Sequence, residues 1–386
     1  MIGYTVSLYG GKIVFENFEF AGAASDSNTM YLDTVRAIEY ILKDGKLVKD
    51  KVLPWFKNQA TPDNYKVLHG HIGKYPVTMH LEKHGSGYSG YYFYNSKRRR
   101  IDLQDRSYLD TTVEVVLSEQ GNKLFKGELK NGHYSGKWTD GKRELQFELA
   151  ESYKDGELPL RYYSFGETLL QQDDNTYKVG TGMYLPDTSK MQAKDKAEWF
   201  NMFTEGYVGY IGEAEDIARS RYSKFRQNML ESVGDDIFKY AEHADYYDGY
   251  GQTEKYNQNN MLCFETHESG FLGGASVGRS YRYTIYDVKK NKRVYKEDML
   301  TCADSALRKI IEESLKEQYA DDVDEQGKYA LDAFRMAGDS VGSMVLEPGG
   351  FSFFYPTHMM HYWIYVPFAK VKEYMAPEYK QRLLLK

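Results

Sequence analysis

Two rhythms of apolar and polar positions run along this chain, and the change from one to the other divides it. In residues 1–64, Val6-Ser7-Leu8-Tyr9 and Lys12-Ile13-Val14-Phe15 flank Gly10-Gly11, and the apolar runs 38–42 and 46–48 flank Asp44-Gly45. Short runs of this kind around a two-residue glycine turn predict β-hairpins. The breaker-rich stretch 58–64, Asn-Gln-Ala-Thr-Pro-Asp-Asn, reads as a linker.

Residues 65–155 carry a period of two. Val77, Met79 and Leu81 alternate with Thr78, His80 and Glu82, as in a half-buried strand. Further strands are expected at 90–94, 113–117, 125–129, 134–138 and 145–149, with turns such as Gly121-Asn122 and Asn131-Gly132 between them. Many short strands at regular spacing favour a small antiparallel β-barrel or sandwich over βαβ units.

From about residue 156 the period lengthens. Ile211, Ala214, Ile217, Ala218, Tyr222, Phe225, Met229 and Val233 recur at helical spacing and predict a long amphipathic helix. A second helix is expected over 303–319, with Leu307, Ile310, Ile311 and Leu315 on one face and Thr301-x-x-Asp304 as a capping box at its start. Strands are expected at 261–264, 280–288 and 362–366, and a hairpin at 345–354 turning on Glu347-Pro348-Gly349-Gly350. The fold class is therefore α+β and β-rich: an N-terminal β segment (1–64), a small antiparallel barrel or sandwich (65–155), and an α+β domain with a mixed sheet and packed helices (156–386).

Composition sharpens this picture in a few places. A length of 386 residues suits two or three domains, and 41% hydrophobic with 27% charged residues excludes a disordered chain. The 36 tyrosines suit half-buried strands and surfaces that stack on sugars. A net charge of −6 argues against a nucleic-acid partner, because phosphate affinity comes mainly from Lys and Arg. It favours encounter with basic partners instead. The basic run Lys97-Arg98-Arg99-Arg100 reads as a solvated turn. No stretch approaches the ~20 apolar residues of a membrane span, and the first residues show no signal-peptide pattern. Cys263 and Cys302 lack metal-ligand spacing; a disulfide and two free thiols both stay open.

Candidate chemistry is sparse. Gly274-Ala275-Ser276-Val277-Gly278 has the G-x-S-x-G form of a nucleophile elbow, but Tyr281, Tyr283 and Ile285 then alternate as a strand, where an elbow requires a helix. A glycine-rich loop between strands is the expected reading. His69 and His71 share one strand face, and His80, Glu82 and His84 share another. Such sets can ligate Zn²⁺ or Cu²⁺. Their alternation with Leu68, Ile72, Met79 and Leu81 places them on the solvent face of an amphipathic sheet. No P-loop, dinucleotide fingerprint or metal-ligand quartet is present, so no catalytic residue, cofactor or metal is expected. Tyr88, Tyr91, Tyr92, Phe93 and Tyr94 crowd one hairpin, with Tyr134 and Trp138 near. Half of them should be core and half an exposed row able to hold glycan or a protein partner.

One resemblance adds to this. The segments THESGFLGGASVGRSYRYTIYDVKKNKRVYKEDML and FSFFYPTHMMHYWIYVPFAKVKEYM resemble the C-terminal domain of unknown function shared by lysozyme-sensing anti-sigma factors and some peptidoglycan deacetylases. The likeness covers roughly residues 156–386. The family usually shows Gly-Gly-Ala-His-Gly at the loop where this chain has Gly273-Gly274-Ala275-Ser276-Val277-Gly278, so its histidine is replaced. The turn at residues 287–292 also lacks the family's glycine. The resemblance implies an extracytoplasmic home in the cell envelope, periplasm or cell surface, with a leader or lipid anchor that once preceded Met1. It implies a non-enzymatic binding or sensing role, with lysozyme, another envelope protein, or peptidoglycan or other glycan as partner. The surface it points to holds Gly273, Gly274, Ser276, Tyr281 and Tyr283 with Tyr355, His358 and Tyr362. The alternative is an envelope carbohydrate-active enzyme, a peptidoglycan hydrolase or deacetylase.

Overall fold

The computed structural model describes residues 2–9, 12–19, 33–43, 46–53, 63–84, 87–105, 114–119, 123–172, 175–187, 214–232, 245–271, 278–319, 325–356 and 361–384. Four strands open the chain: β1 (Ile2–Tyr9), β2 (Lys12–Glu19), β3 (Asp33–Lys43) and β4 (Lys46–Leu53). They pair in chain order as one antiparallel sheet, with the hairpins where the glycine turns predict them. The expected linker falls mostly outside the described residues.

Eight strands then form an antiparallel barrel. They are β5 (Asp63–Ile72), β6 (Tyr75–His84), β7 (Gly87–Tyr94), β8 (Ile101–Asp105), β9 (Glu114–Ser118), β10 (Leu124–Lys130), β11 (His133–Thr139) and β12 (Glu144–Glu151). Each pairs with its neighbour, and β12 closes on β5 from Phe147↔Ile72 to Glu151↔Leu68. Closure removes the exposed edges that an open meander would present. Leu68, Met79, Leu81, Tyr92, Phe125 and Phe147 fill the interior. Glu119 is buried at its end, accepting from Tyr92 Oη at 2.6 Å and Trp138 Nε1 at 2.8 Å.

The second body begins with β13 (Leu160–Gln172) and β14 (Asn175–Pro186), continues with α1 (Ala214–Ser232), and adds β15 (Asp245–Gln258), β16 (Met261–Phe271), β17 (Gly278–Asp287) and β18 (Lys292–Val294). The sheet is mixed because β14 and β15 run parallel, from Thr176↔Asp245 to Thr181↔Tyr250. Parallel neighbours require a crossover, and α1 lies in it. Ala218 and Tyr222 of α1 are buried against Phe165 and Leu169, and Tyr222 Oη and Arg226 Nε both donate to Glu167. The first residues of β13 pair with β5 (Arg161↔Asn64), so β5 belongs to the barrel and to this sheet.

The chain ends with α2 (Lys296–Met299), α3 (Asp304–Gln318), α4 (Glu325–Met336), the antiparallel strands β19 (Ser343–Glu347), β20 (Gly350–Pro356) and β21 (His361–Pro367), then α5 (Phe368–Val371) and α6 (Pro377–Leu384). Leu307, Ile311 and Leu315 of α3 pack into one core with Ile364 and Val366 of β21. No helix among the described residues is long and apolar enough to cross a membrane. Cys263 and Cys302 are free thiols.

Several expectations are corrected. Strand β6 is buried on both faces: Val77, Met79 and Leu81 point into the barrel, while Thr78 and His80 lie beneath the second body, His80 only 1% exposed. The histidine face is therefore not a solvent face at His80, and His69 is half-buried, whereas His71 is exposed. The same covering buries Tyr91 and Phe93 as well as inward-facing Tyr92, so the expected exposed aromatic row is absent there. The basic run is not simply solvated. Arg98 Nη1 donates to the Leu383 carbonyl at 2.6 Å, and the Arg100 guanidinium stacks 3.8 Å from the Tyr91 ring centre. No capping box forms at α3, because Thr301 instead bonds to the Tyr374 carbonyl and Ala303 takes the cap position.

Candidate binding cleft

The expected surface divides when placed on the fold. Gly273, Gly274, Ser276 and His358 lie outside the described residues. Gly278 opens β17, so the G-x-S-x-G motif leads into a strand. Tyr283, Tyr355 and Tyr362 are buried in the C-terminal core, at 9%, 1% and 6% exposure, and their rings offer no open face. Tyr281 is half-buried. It sits beside His361, ring centres 4.8 Å apart, and edge-on to Trp363 at 6.5 Å.

That contact leads to a site the sequence does not display as a motif. Along β21, Tyr362, Ile364 and Val366 turn inward, so His361, Trp363 and Tyr365 turn to the opposite face. Trp363 stands opposite Phe354 of β20, and Tyr365 opposite Ser352. The side chain of Gln318, at the end of α3, holds this edge strand by accepting from Tyr365 N at 3.1 Å. Facing β21 are the β7–β8 connection, with Arg99 and Arg100, and Lys255 of β15. Between these walls lies a cleft of about 350 Å³, with Asp102, Val345, Glu347 and Ser352 completing it. This is at the small end of the range for ligand pockets, about 300–1,000 Å³.

The polar groups of the cleft are tied in an ordered way. Arg100 donates to Asp102 at 2.7 Å and to the carbonyls of Glu254 and Lys255 at 3.3 and 3.5 Å. Burial works against its charge, but the nearby Asp102, Tyr91 and Glu254 outweigh this and raise its pKa above the ordinary arginine value. Arg100 is therefore a structural clamp. Arg99 is exposed, and its guanidinium lies 5.5 Å from the Tyr365 ring centre, where it can move to a ligand. Lys255 Nζ pairs with Glu265 at 3.0 Å. Tyr283 donates to the same carboxylate at 2.9 Å and accepts from Trp363 Nε1 at 2.8 Å. Burial, with Glu265 adding to it, raises the Tyr283 pKa and keeps the phenol neutral. Burial and then Glu347 push the Tyr365 phenol up to about 12. The indole is thus fixed through a buried relay while one face of the cleft stays cationic and aromatic.

A larger cavity, about 490 Å³, opens under α1, between Phe225 and Met229 above and Asp248, Gly249, Gly270 and Arg279 below. Burial raises the Asp248 pKa, against the hydrogen bond from Tyr177 Oη at 2.7 Å. It adjoins the start of β17, but its lining has one cation, Arg279, and one aromatic ring, Phe225, where the cleft has Arg99, Arg100 and Lys255 with Trp363 and Tyr365.

No protein-family model matches the sequence, and no curated protein matches it. Two solved structures of DUF3298 family proteins are similar to the chain. The one from Bacteroides fragilis is 15% identical, with a TM-score of 0.46, and covers 60% of this chain and 99% of its own. The one from Pseudomonas aeruginosa is 15% identical, with a TM-score of 0.39, and covers 58% of this chain and 96% of its own. At these scores the likeness carries no argument about site or ligand.

Proposed function

We propose that this chain is a non-enzymatic binding protein of the bacterial cell envelope whose cleft takes a carboxylate-bearing glycan of the cell wall. The observation that supports this reading is the meeting of Trp363 and Tyr365 with Arg99 and Lys255 across one cleft. Sugar rings lay their C–H faces on aromatic side chains, and guanidinium and ammonium groups take carboxylates through charge-assisted hydrogen bonds. Envelope location and a sensing role rest on the sequence resemblance. Lysozyme, being basic, would be steered by the net charge of −6. A cationic cleft is a poor receptor for it, so it forms the second arm of the test.

Glycoside hydrolysis would need two carboxyl groups, one of them held protonated as an acid. The cleft offers Asp102, which is paired to Arg100, and Glu347, which accepts from the Ser352 hydroxyl. Both are occupied as acceptors, which suits a binding site better than an acid–base pair.

The test is calorimetric titration of soluble peptidoglycan fragments into the protein, with lysozyme titrated separately. The reading expects saturable fragment binding, weakened by about tenfold or more in Trp363→Ala and Arg99→Ala, a loss of about 1.4 kcal/mol or more. Fragments recovered unchanged by chromatography would exclude turnover. Saturable lysozyme binding without fragment binding would replace the glycan with a protein ligand.

A further inference from the structure

Away from the cleft, two buried atoms face each other without a hydrogen bond. His69 Nε2, on the outer face of β5, lies 3.1 Å from Glu157 Oε1, and neither atom has a hydrogen-bond partner. The His69 side chain is 9% exposed and that of Glu157 fully buried. Asp155 completes the group: one ligand atom from each of the three residues lies within 4.8 Å of the others.

The surrounding hydrogen bonds set the imidazole tautomer. The Thr78 hydroxyl donates to Asn95 Oδ1 at 3.0 Å, and His69 Nδ1 lies 3.3 Å from the same hydroxyl oxygen. With its proton directed to Asn95, Thr78 accepts, so Nδ1 carries a hydrogen, and in the neutral imidazole Nε2 then presents its lone pair. That lone pair faces a carboxylate oxygen. Two electron-rich atoms at this distance in a buried setting repel unless a proton or a metal ion sits with them, and the lack of hydrogen-bond geometry between the two favours a metal ion. An imidazole whose other nitrogen is held by a hydrogen bond is the usual arrangement of a metal-ligating histidine.

The carboxylate side is equally fixed. Glu157 Oε2 accepts from Asp155 N at 2.6 Å. The Asp155 and Gly156 carbonyls accept from Asn259 and Asn260 N, both at 2.8 Å, which pins the turn to the β15–β16 connection. Gly156 has φ +78, and a Cβ there would lie 2.7 Å from Asn260 N, so only glycine fits. Asp155 is half-buried at the rim, which leaves a route for an ion and for water.

From this geometry we infer that His69, Asp155 and Glu157 form a binding site for a divalent transition-metal ion of the zinc class, joining the barrel to the mixed sheet. One imidazole with two carboxylates suits Zn²⁺ better than Ca²⁺ or Mg²⁺, which take oxygen ligands. Bonds of about 2.0–2.1 Å put adjacent ligands of a tetrahedral ion about 3.3 Å apart, close to the Nε2–Oε1 separation. Asp155 would supply the third ligand from the rim, within 4.8 Å of the other two, and water the fourth. The ion would staple β5 to the turn that carries Glu157, and so hold the two bodies together beside the β5–β13 junction.

The test uses the full chain, stripped with a chelator and dialysed. Zn²⁺ titrated by calorimetry should bind at one equivalent, raising the thermal midpoint, and Co²⁺ should give the visible absorption of an N/O-ligated site. His69→Gln and Glu157→Gln should each abolish the equivalent, and His71→Gln, on an exposed neighbour, should leave it intact. Thr78→Val, which removes the acceptor for Nδ1–H, should weaken it about 10- to 100-fold. Absence of a saturable Zn²⁺ equivalent in the wild-type chain would overturn the site and leave a His69–Glu157 ion pair. So would an equivalent that survives both ligand substitutions. The wild-type titration decides the matter even where a variant fails to fold.

Discussion

The indole N–H of Trp363 donates to the hydroxyl of Tyr283 at 2.8 Å, across the boundary between the three-stranded sheet and the mixed sheet. Tyr283 in turn donates a hydrogen bond to Glu265 at 2.9 Å, and Lys255 closes the chain. The cleft's aromatic wall is therefore held by a buried phenol behind it. Tyr283→Phe keeps the ring packing and removes both bonds. It should cost about 1–2 kcal/mol in urea denaturation and shift Trp363 emission.

Arg99 and Arg100 are neighbours with opposite expected phenotypes. Arg100→Ala removes a guanidinium stacked on Tyr91 and bonded to Asp102 and two carbonyls. It should destabilise the fold by about 2–3 kcal/mol. Arg99→Ala, at an exposed position, should change stability by less than about 0.5 kcal/mol while weakening fragment binding. Equal stability losses in denaturant titrations of the two variants would contradict this division.

Barrel closure depends on Gly70. A Cβ there would lie 1.9 Å from the Glu148 carbonyl oxygen on the paired strand β12, a backbone atom that has no rotamer to escape by. Gly70→Ala should cost at least about 2 kcal/mol. Its effect should appear as faster amide exchange along β5 and β12.

His361 gives a pH signature. Burial first, and then the charge of Arg279, lower its pKa below the ordinary histidine value, against a smaller opposing effect of Glu265. Tyr281, Phe354 and Trp363 supply the neutral surroundings. Between the folded and the unfolded pKa the unfolded chain binds more protons, so stability rises with pH in that window. The contribution is complete above the unfolded value near 6.5 and is lost as pH falls through it towards the folded pKa. Denaturation midpoints measured from pH 5 to 8 should show this slope in the native chain, and a shallower one in His361→Asn.

The two thiols should differ in reactivity. Burial pushes Cys263 up to about 12, and Cys302, half-buried, is raised by the same cause. Since the thiolate is the nucleophile, brief alkylation of the folded protein at pH 8 should label Cys302 first and leave Cys263 intact until unfolding. Peptide mapping reads the outcome directly.

Alternation marked most of the barrel strands, because they carry an inward apolar set whatever packs outside: Val77, Met79 and Leu81 are interior as their spacing requires, whereas short β8, with only Leu103 buried, escaped. Helical spacing likewise placed α1 and α3, and the Glu347–Gly350 turn placed the β19–β20 hairpin. Strands β13, β14 and β15 escaped notice: their glycines, tyrosines and polar residues show no clean period. Tertiary structure alone decided that the outer face of β5–β7 is covered, which turned His80, Tyr91 and Phe93 from expected surface into core. It alone decided that Arg99, Lys255 and Trp363, more than a hundred residues apart along the chain, share a cleft, and that His69 meets Glu157. Local sequence fixes which face of a strand is apolar through the two-residue repeat of the backbone. What covers the other face depends on contacts between distant segments, which no periodicity encodes.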